Sequence, residues 1–411
     1  MSVIRRPVGG RENPLAVRPT AGTSWPLRTA APFHLEAIVR LLQRRPTNRV
    51  DIWEGDRYRR ILSTPDGPSL VELSNLGSID EPDLRFAILS GVSSTANRAF
   101  IAGSLRRTLG LDVDTSSVHR WAVNFEGLRS TALALRGVRP PRFPDLFETL
   151  GSIIPFQQLS LDAGISTIGR LVDRFGVSIE FDGRRWSAFP RAEAVAALEI
   201  ESLKSVGLSR AKAEALHRLA CRIASGALTE EQLVALSTPD ALAALTMERG
   251  IGPWTATVVL LRGFGRTEVF PPNDTGVARG LGALLSLKPG PISRADIERF
   301  GDNRGYLYFY SLGAQLLGRG LITPAPDLSG EQEAHQRDPY MTKRFKVGEQ
   351  VTWNSEAGHV RGHITRVHTK DVEYKGYTHH ASSEEPQYEI KSDTTDHVAM
   401  HKGTALKRLS D

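Results

Sequence analysis

The chain has one cysteine, Cys221, in 411 residues. That excludes an internal disulfide and any centre built from several thiolates, such as a four-cysteine zinc or iron–sulfur site. Cys221 shares a helical stripe with Leu216 and Ala220, which predicts a small packed hydrophobe in a reducing cytoplasm, of bacterial type. No uninterrupted apolar run of about 18 residues occurs, so no membrane span is expected. Acid is scarce at the start: Arg5, Arg6, Arg11, Arg18 and Arg28 face only Glu12. Pro7, Gly9, Gly10, Pro14, Pro19 and Pro26 would break an amphipathic transit helix there. A disordered basic arm over residues 1–30 is the expectation.

Hydrophobic residues make up 40% of the chain, enough for real cores, and the length suits two or three domains. The net charge is +6, a mild basic excess that suits a polyanionic partner and also occurs in many unrelated proteins. The pattern predicts an α+β protein. Residues 31–135 combine one helical segment (Leu35, Ile38, Val39, Leu41, Leu42) with short strands at Arg49–Trp53, Tyr58–Leu62 and Ser69–Leu73. Residues 82–109 read as helical, with Leu84, Ile88, Ala99, Ile101 and Leu105 recurring.

From 136 to 322 one helical pattern follows another. The only interruption is Phe181-Asp182-Gly183-Arg184, where Asp-Gly predicts a type I′ hairpin turn. Thr238-Pro239-Asp240 reads as a helix start with Thr238 as N-cap. Residues 323–344 read as a linker. Residues 345–411 alternate like strands and predict a small β-barrel.

The densest signal is Gly250-Ile251-Gly252-Pro253-Trp254-Thr255-Ala256, followed by Phe270-Pro271-Pro272-Asn273-Asp274. Two glycines permit positive φ and a close backbone approach, and a helix opening near Pro253 offers free N–H groups to a phosphate. Gly-x-Gly alone would fit any helix–turn–helix corner. Asp274, before Thr275-Gly276-Val277, reads on its own as a helix N-cap.

As a unit, these residues resemble the helix-hairpin-helix DNA glycosylases, in their alkyladenine (3-methyladenine type II) branch. The likeness spans roughly residues 30–322. Gln157-Gln158-Leu159-Ser160 looks like the opening of the family's helical core, and Gly207-Leu208-Ser209-x-x-Lys212-Ala213 like another family helix. The resemblance implies excision of alkylated purines from flipped-out nucleotides of double-stranded DNA. Asp274 would stabilise the cation that develops on the sugar. Gly250, Ile251, Gly252, Thr255, Gln157 and Gln158 would meet the DNA, with Gln158 where the family wedges a side chain into the gap. Bifunctional members carry a lysine at the place of Trp254, so the resemblance implies a monofunctional hydrolase without lyase activity.

Phe156, Trp254, Tyr306, Tyr308 and Tyr310 are candidates for the base pocket, or for ordinary packing. Val258 and Leu312 stand where relatives have pocket aromatics. The implied cofactor is none, apart from a monovalent cation that the family holds in its hairpin. A monomer is expected. The alternative is a DNA-binding protein of the same fold without useful catalysis.

The last segment, from Phe345-Lys346-Val347-Gly348 through Tyr388-Glu389-Ile390-Lys391, resembles the Tudor-like hypervirulence-associated domain. Such a barrel implies a peptide or nucleic-acid ligand. Residues 343–411 hold 11 Lys+Arg against 10 Asp+Glu, unlike a simple DNA clamp. Their seven histidines lack metal-ligand spacing, and no metal is expected.

Overall fold

The computed structural model describes residues 23–285, 297–298, 300–326, 345–355, 358–374, 376–382, 386–393, 395 and 398–408. Residues up to Pro326 form one compact unit and those from Asp327 a second. Most of the expected basic arm and of the linker lies outside the described residues.

The first unit opens with an antiparallel sheet of five strands in the order Trp25–Leu27, Leu84–Ser90, Gly67–Asn75, Arg57–Thr64 and Ile52–Glu54. Two of these strands correct the sequence reading. Trp25–Leu27, expected in the arm, pairs with Leu84–Phe86. Leu84–Ser90, expected to be helical, alternates buried Leu84, Phe86 and Ile88 with less buried neighbours, the period of a strand. The helix starts only at Thr95, where the Ser94 hydroxyl accepts from the Asn97 N–H at 3.0 Å, and it runs to Leu109. It packs with the helix Leu35–Gln43 on one face of the sheet, through Leu35, Ile38, Leu42, Ile101, Leu105 and Leu109.

The other face is covered from the helical part. The hairpin Ser178–Phe181 and Arg184–Ser187 turns at Asp182 and Gly183, both at positive φ, as its type I′ signature predicts. It lays Trp186 and Ala188 on Ile52, Ile61 and Leu70. Burying a large apolar side chain in this way contributes about 2–3 kcal/mol.

All eight residues of the helix Leu146–Ile153 are buried, so it forms the axis of the helical core. Around it lie Leu161–Phe175, Arg210–Ala224, Thr238–Thr246, Pro253–Gly263, Thr275–Leu284 and Arg304–Leu317. Ser237, not Thr238, is the N-cap of its helix: its hydroxyl accepts from the Asp240 N–H, and Pro239 fills the first turn. Cys221 is half-buried, with its thiol 3.9 Å from the Ala196 carbonyl.

Sheet and helices are joined by a buried ionic cluster. Arg60 donates to Asp51 at 3.0 Å and to both oxygens of Glu148 at 2.8 and 2.9 Å, and the Tyr58 hydroxyl donates to Asp51 at 2.7 Å. One guanidinium thus faces two carboxylates away from water. Burial pushes the Glu148 carboxyl up to about 7 despite Arg60.

The second unit has a five-stranded antiparallel sheet in the order Val398–Lys402, Gln387–Ser392, Gly358–His368, Gln350–Ser355 and Lys407–Arg408, wrapped on Phe345, Val351, Trp353, Ile364, Tyr388 and Ile390. A two-stranded ribbon, Val372–Tyr374 with Tyr377–His379, is added to it.

Because Glu148 binds its proton more tightly folded than unfolded, its contribution to stability is lost as pH rises from about 4.5 to about 7. Glu148→Gln removes that loss. Its thermal midpoint relative to the parent should therefore improve steadily between about pH 5 and pH 8, by an amount worth roughly 1–3 kcal/mol. A midpoint difference that is flat across this range would contradict the assignment.

Candidate active site

Where the sheet meets the helices, a cleft of about 1190 Å³ opens. Its walls come from the end of the helix Leu35–Gln43, the segment Phe156–Ser160, the turn Gly250–Gly252, the helix Pro253–Gly263 and the start of the helix Thr275–Leu284. Asp51, Glu148 and Arg262 contribute to its lining.

The turn is built by Gly250. Its φ of +93° lies in the region glycine favours, and a Cβ there would come within 2.6 Å of the Ala215 side chain. Gly252 corrects the expectation of two such glycines: as N-cap of the next helix it has φ −92°, and its α-carbon faces open space. No side chain caps this helix start, so the backbone N–H groups behind Gly252 remain available to an anion. The Ile251 side chain is buried. The Thr255 hydroxyl is buried as well and accepts from Gln157 Nε2 at 2.9 Å. What this turn presents outward is backbone.

Gln157 is a tie rather than an open contact. Its amide also donates to the Gly250 carbonyl at 2.9 Å and so fastens the segment Phe156–Ser160 to the turn. Gln158 is exposed on the rim of the cleft, at φ +56°.

Asp274 is the N-cap of Thr275–Leu284. Its Oδ1 accepts from the N–H groups of Gly276 at 3.1 Å and Val277 at 2.9 Å. Its Oδ2 accepts from the indole N–H of Trp254 at 3.0 Å. Three donors from two helices therefore hold a half-buried carboxylate at the cleft. The preceding Asn273, at φ +57°, turns the chain into this cap.

The aromatic candidates separate. Phe156, Trp254 and Tyr308 line the cleft. Phe156 fits because residue 164 is glycine: a Cβ there would lie 2.2 Å from its ring. Tyr306 and Tyr310 do not line the cleft, which corrects the pocket expectation for both. They lie around a much smaller cavity with Thr115 and His119, as successive turns of one helix require of residues two positions away from Tyr308. Val258 and Leu312 do line the cleft, so aliphatic walls stand there.

Three contributors were missed in the sequence. Arg44 caps the helix Leu35–Gln43 at φ +58° and sets its guanidinium 5.3 Å from the centre of the Phe156 ring. Arg262 is buried, donates to the Leu41 carbonyl at 3.2 Å and lies 4.8 Å from the Phe143 ring. Glu148 was discoverable as a lone acid inside the apolar run Leu146–Ile154. Among the described residues, no group of three or more His, Cys, Asp or Glu side chains could hold a metal ion.

Three known families match separate stretches of the chain. The AlkA N-terminal domain matches residues 25–145, the HhH-GPD superfamily base excision DNA repair protein 152–300, and the hypervirulence associated proteins TUDOR domain 348–406. A DNA-3-methyladenine glycosylase of Bacillus subtilis is 28% identical over 266 residues, covering 65% of this chain and 88% of that protein. A solved 3-methyladenine DNA glycosylase from Archaeoglobus fulgidus superposes with a TM-score of 0.59 at 27% identity, over 72% of this chain and 99% of its own. The fold is shared, at 23% identity and a TM-score of 0.58, by MBOgg1, a structure determined with a low-affinity DNA ligand, over 73% of this chain and 98% of its own. The glycine turn and the capping carboxylate lie within the HhH-GPD match and the sheet within the AlkA N-terminal match: over its sheet and helices the chain matches the AlkA-like branch of the helix-hairpin-helix (HhH-GPD) superfamily of base excision DNA repair proteins, and over 348–406 a Tudor domain of the hypervirulence-associated kind.

Proposed function

We propose that this DNA glycosylase removes alkylated purines from double-stranded DNA by hydrolysis, with Asp274 as its catalytic carboxylate. The observation that carries this reading is the N–H cradle around Asp274 at the cleft. Breaking the bond between base and sugar builds positive charge on the deoxyribose, as in other glycosyl transfers. A carboxylate fixed beforehand in a site that excludes water stabilises that charge without reorganising. The same oxygens can orient the attacking water. Because two donors come from the helix start it caps and the third from the Trp254 indole, the carboxylate cannot swing toward solvent without leaving N–H groups unpaired.

The grip on DNA follows from the turn. Exposed backbone at Gly250 and Gly252 and an uncapped helix start suit a phosphate of the lesion strand. Gln158, on the rim, is placed to enter the gap left by the flipped nucleotide. Trp254 offers an indole where a nicking enzyme needs an amine, and its N–H is spent on Asp274. The lysine of the described cleft lining, Lys212, has its ammonium on the carbonyls of Pro155 and Gln157. Both features support hydrolysis alone, with no strand nicking.

A second reading draws on Val258 and Leu312. Aliphatic walls hold a cationic methylpurine less well than aromatic ones. On this reading the protein binds damaged DNA and cuts it poorly.

The two readings part on Asp274→Asn, which keeps the cap and loses the charge. Excision of methylated purines should fall at least about a hundredfold in single-turnover assays, while DNA affinity changes less than about threefold. Equal and negligible base release by parent and variant would favour the second reading. Trp254→Phe keeps the ring and removes one donor to the carboxylate, so the excision rate should drop by roughly ten- to a hundredfold. An unchanged rate would detach Trp254 from the chemistry.

A further inference from the structure

Phe156 to Leu159 form a tight turn, closed by the Leu159 N–H donating to the Phe156 carbonyl at 3.2 Å. Its central residues are Gln157, at φ −54° and ψ +119°, and Gln158, at φ +56°. Those angles define a type II turn, whose third position ordinarily belongs to glycine because φ is positive there. A glutamine at that place would adopt type I more comfortably. The two turn types differ by rotation of one group, the peptide joining residues 157 and 158.

That peptide is held. Lys212, on the first turn of the helix Arg210–Ala224, donates its ammonium to the Gln157 carbonyl at 2.5 Å and to the Pro155 carbonyl at 3.0 Å. The Gln157 carbonyl belongs to the very peptide that would have to rotate, and rotation would swing it off the ammonium. One residue earlier in the turn, the Gln157 side chain is pinned to the Gly250 carbonyl and the Thr255 hydroxyl. The strained residue is left exposed at the rim of the cleft. Left-handed strain of this kind persists only where the surroundings over-determine it.

We propose that Lys212 is a positioning residue that locks the peptide between Gln157 and Gln158, keeping Gln158 in the left-handed form that presents its side chain to the duplex during base flipping. The inference rests on the glycosylase reading and on Gln158 as the gap-filling side chain. It gives Lys212 no contact with the reacting atoms.

The test uses the full chain and two duplexes, each with one 7-methylguanine beside a 2-aminopurine reporter. In one the lesion faces cytosine. In the other it faces an abasic site, where opening the stack costs little. Lys212→Met should lower excision from the paired duplex about tenfold, the effect of losing one charge-assisted hydrogen bond. It should also lower the fluorescence rise that reports flipping there by a similar factor, and leave the duplex with the abasic site within about twofold of the parent.

Asparagine tolerates positive φ better than glutamine. In a Gln158→Asn background, Lys212→Met should therefore cost much less than it costs the parent, which a merely structural lysine would not allow. If the methionine variant folds poorly, Lys212→Gln, which keeps one donor, should show an intermediate cost that shrinks in the same background.

Equal losses on both duplexes, or a cost of either Lys212 variant that is undiminished in the Gln158→Asn background, would overturn the lock. So would a weaker, less salt-dependent affinity that residue 158 does not alter, since that marks Lys212 as a phosphate contact. Failure of the glycosylase reading is distinguishable: the parent would then release no base from either duplex, while the flipping signal would still decide on Lys212.

Discussion

The indole of Trp254 and the carboxylate of Asp274 stand 20 positions apart, and their hydrogen bond joins two helix starts into one site. One start carries the exposed turn suited to a phosphate, and the other carries the capping acid. On the proposed reading, a sugar gripped at the first is held at a fixed distance from the second. The rest of the helical unit serves this spacing. Gly250 lets the turn settle against Ala215, and Gly164 lets Phe156 fill the opposite wall. The fully buried helix Leu146–Ile153 gives all of them a common axis.

Much of this was legible in the sequence because local chemistry and tertiary role coincide there. The glycine turn and Asp274 each have a local signature, and the same signature sets a turn and a helix cap at the cleft. The Asp-Gly hairpin was legible for the same reason. Errors arose where the deciding partner was remote. Leu84 and Ile88 fit a helical stripe until the edge strand Trp25–Leu27 and the central strand Gly67–Asn75 claim their backbone. Tyr306, Tyr308 and Tyr310 differ only in direction, which depends on how the helix Arg304–Leu317 is rotated against its neighbours. No pattern within the segment encodes that rotation.

The charges tell a similar story. Arg44, Arg60, Glu148 and Arg262 looked like unremarked members of a mildly basic chain, yet all four lie where sheet and helices meet. Buried ion pairs seldom add much net stability, because desolvation offsets attraction. What they supply is registry: the fork of Arg60 fits Asp51 and Glu148 in one alignment of strand and helix. The cleft inherits its shape from that alignment.

The hairpin that carries Trp186 bears on how such a chain is inherited. It belongs to the helical half by sequence order, and it roofs the outer face of the sheet. Cut at residue 145, where the AlkA N-terminal match stops, the sheet would bare Ile52, Ile61 and Leu70 to water. The stretch matched as one family is therefore smaller than the stretch that buries its own apolar surface.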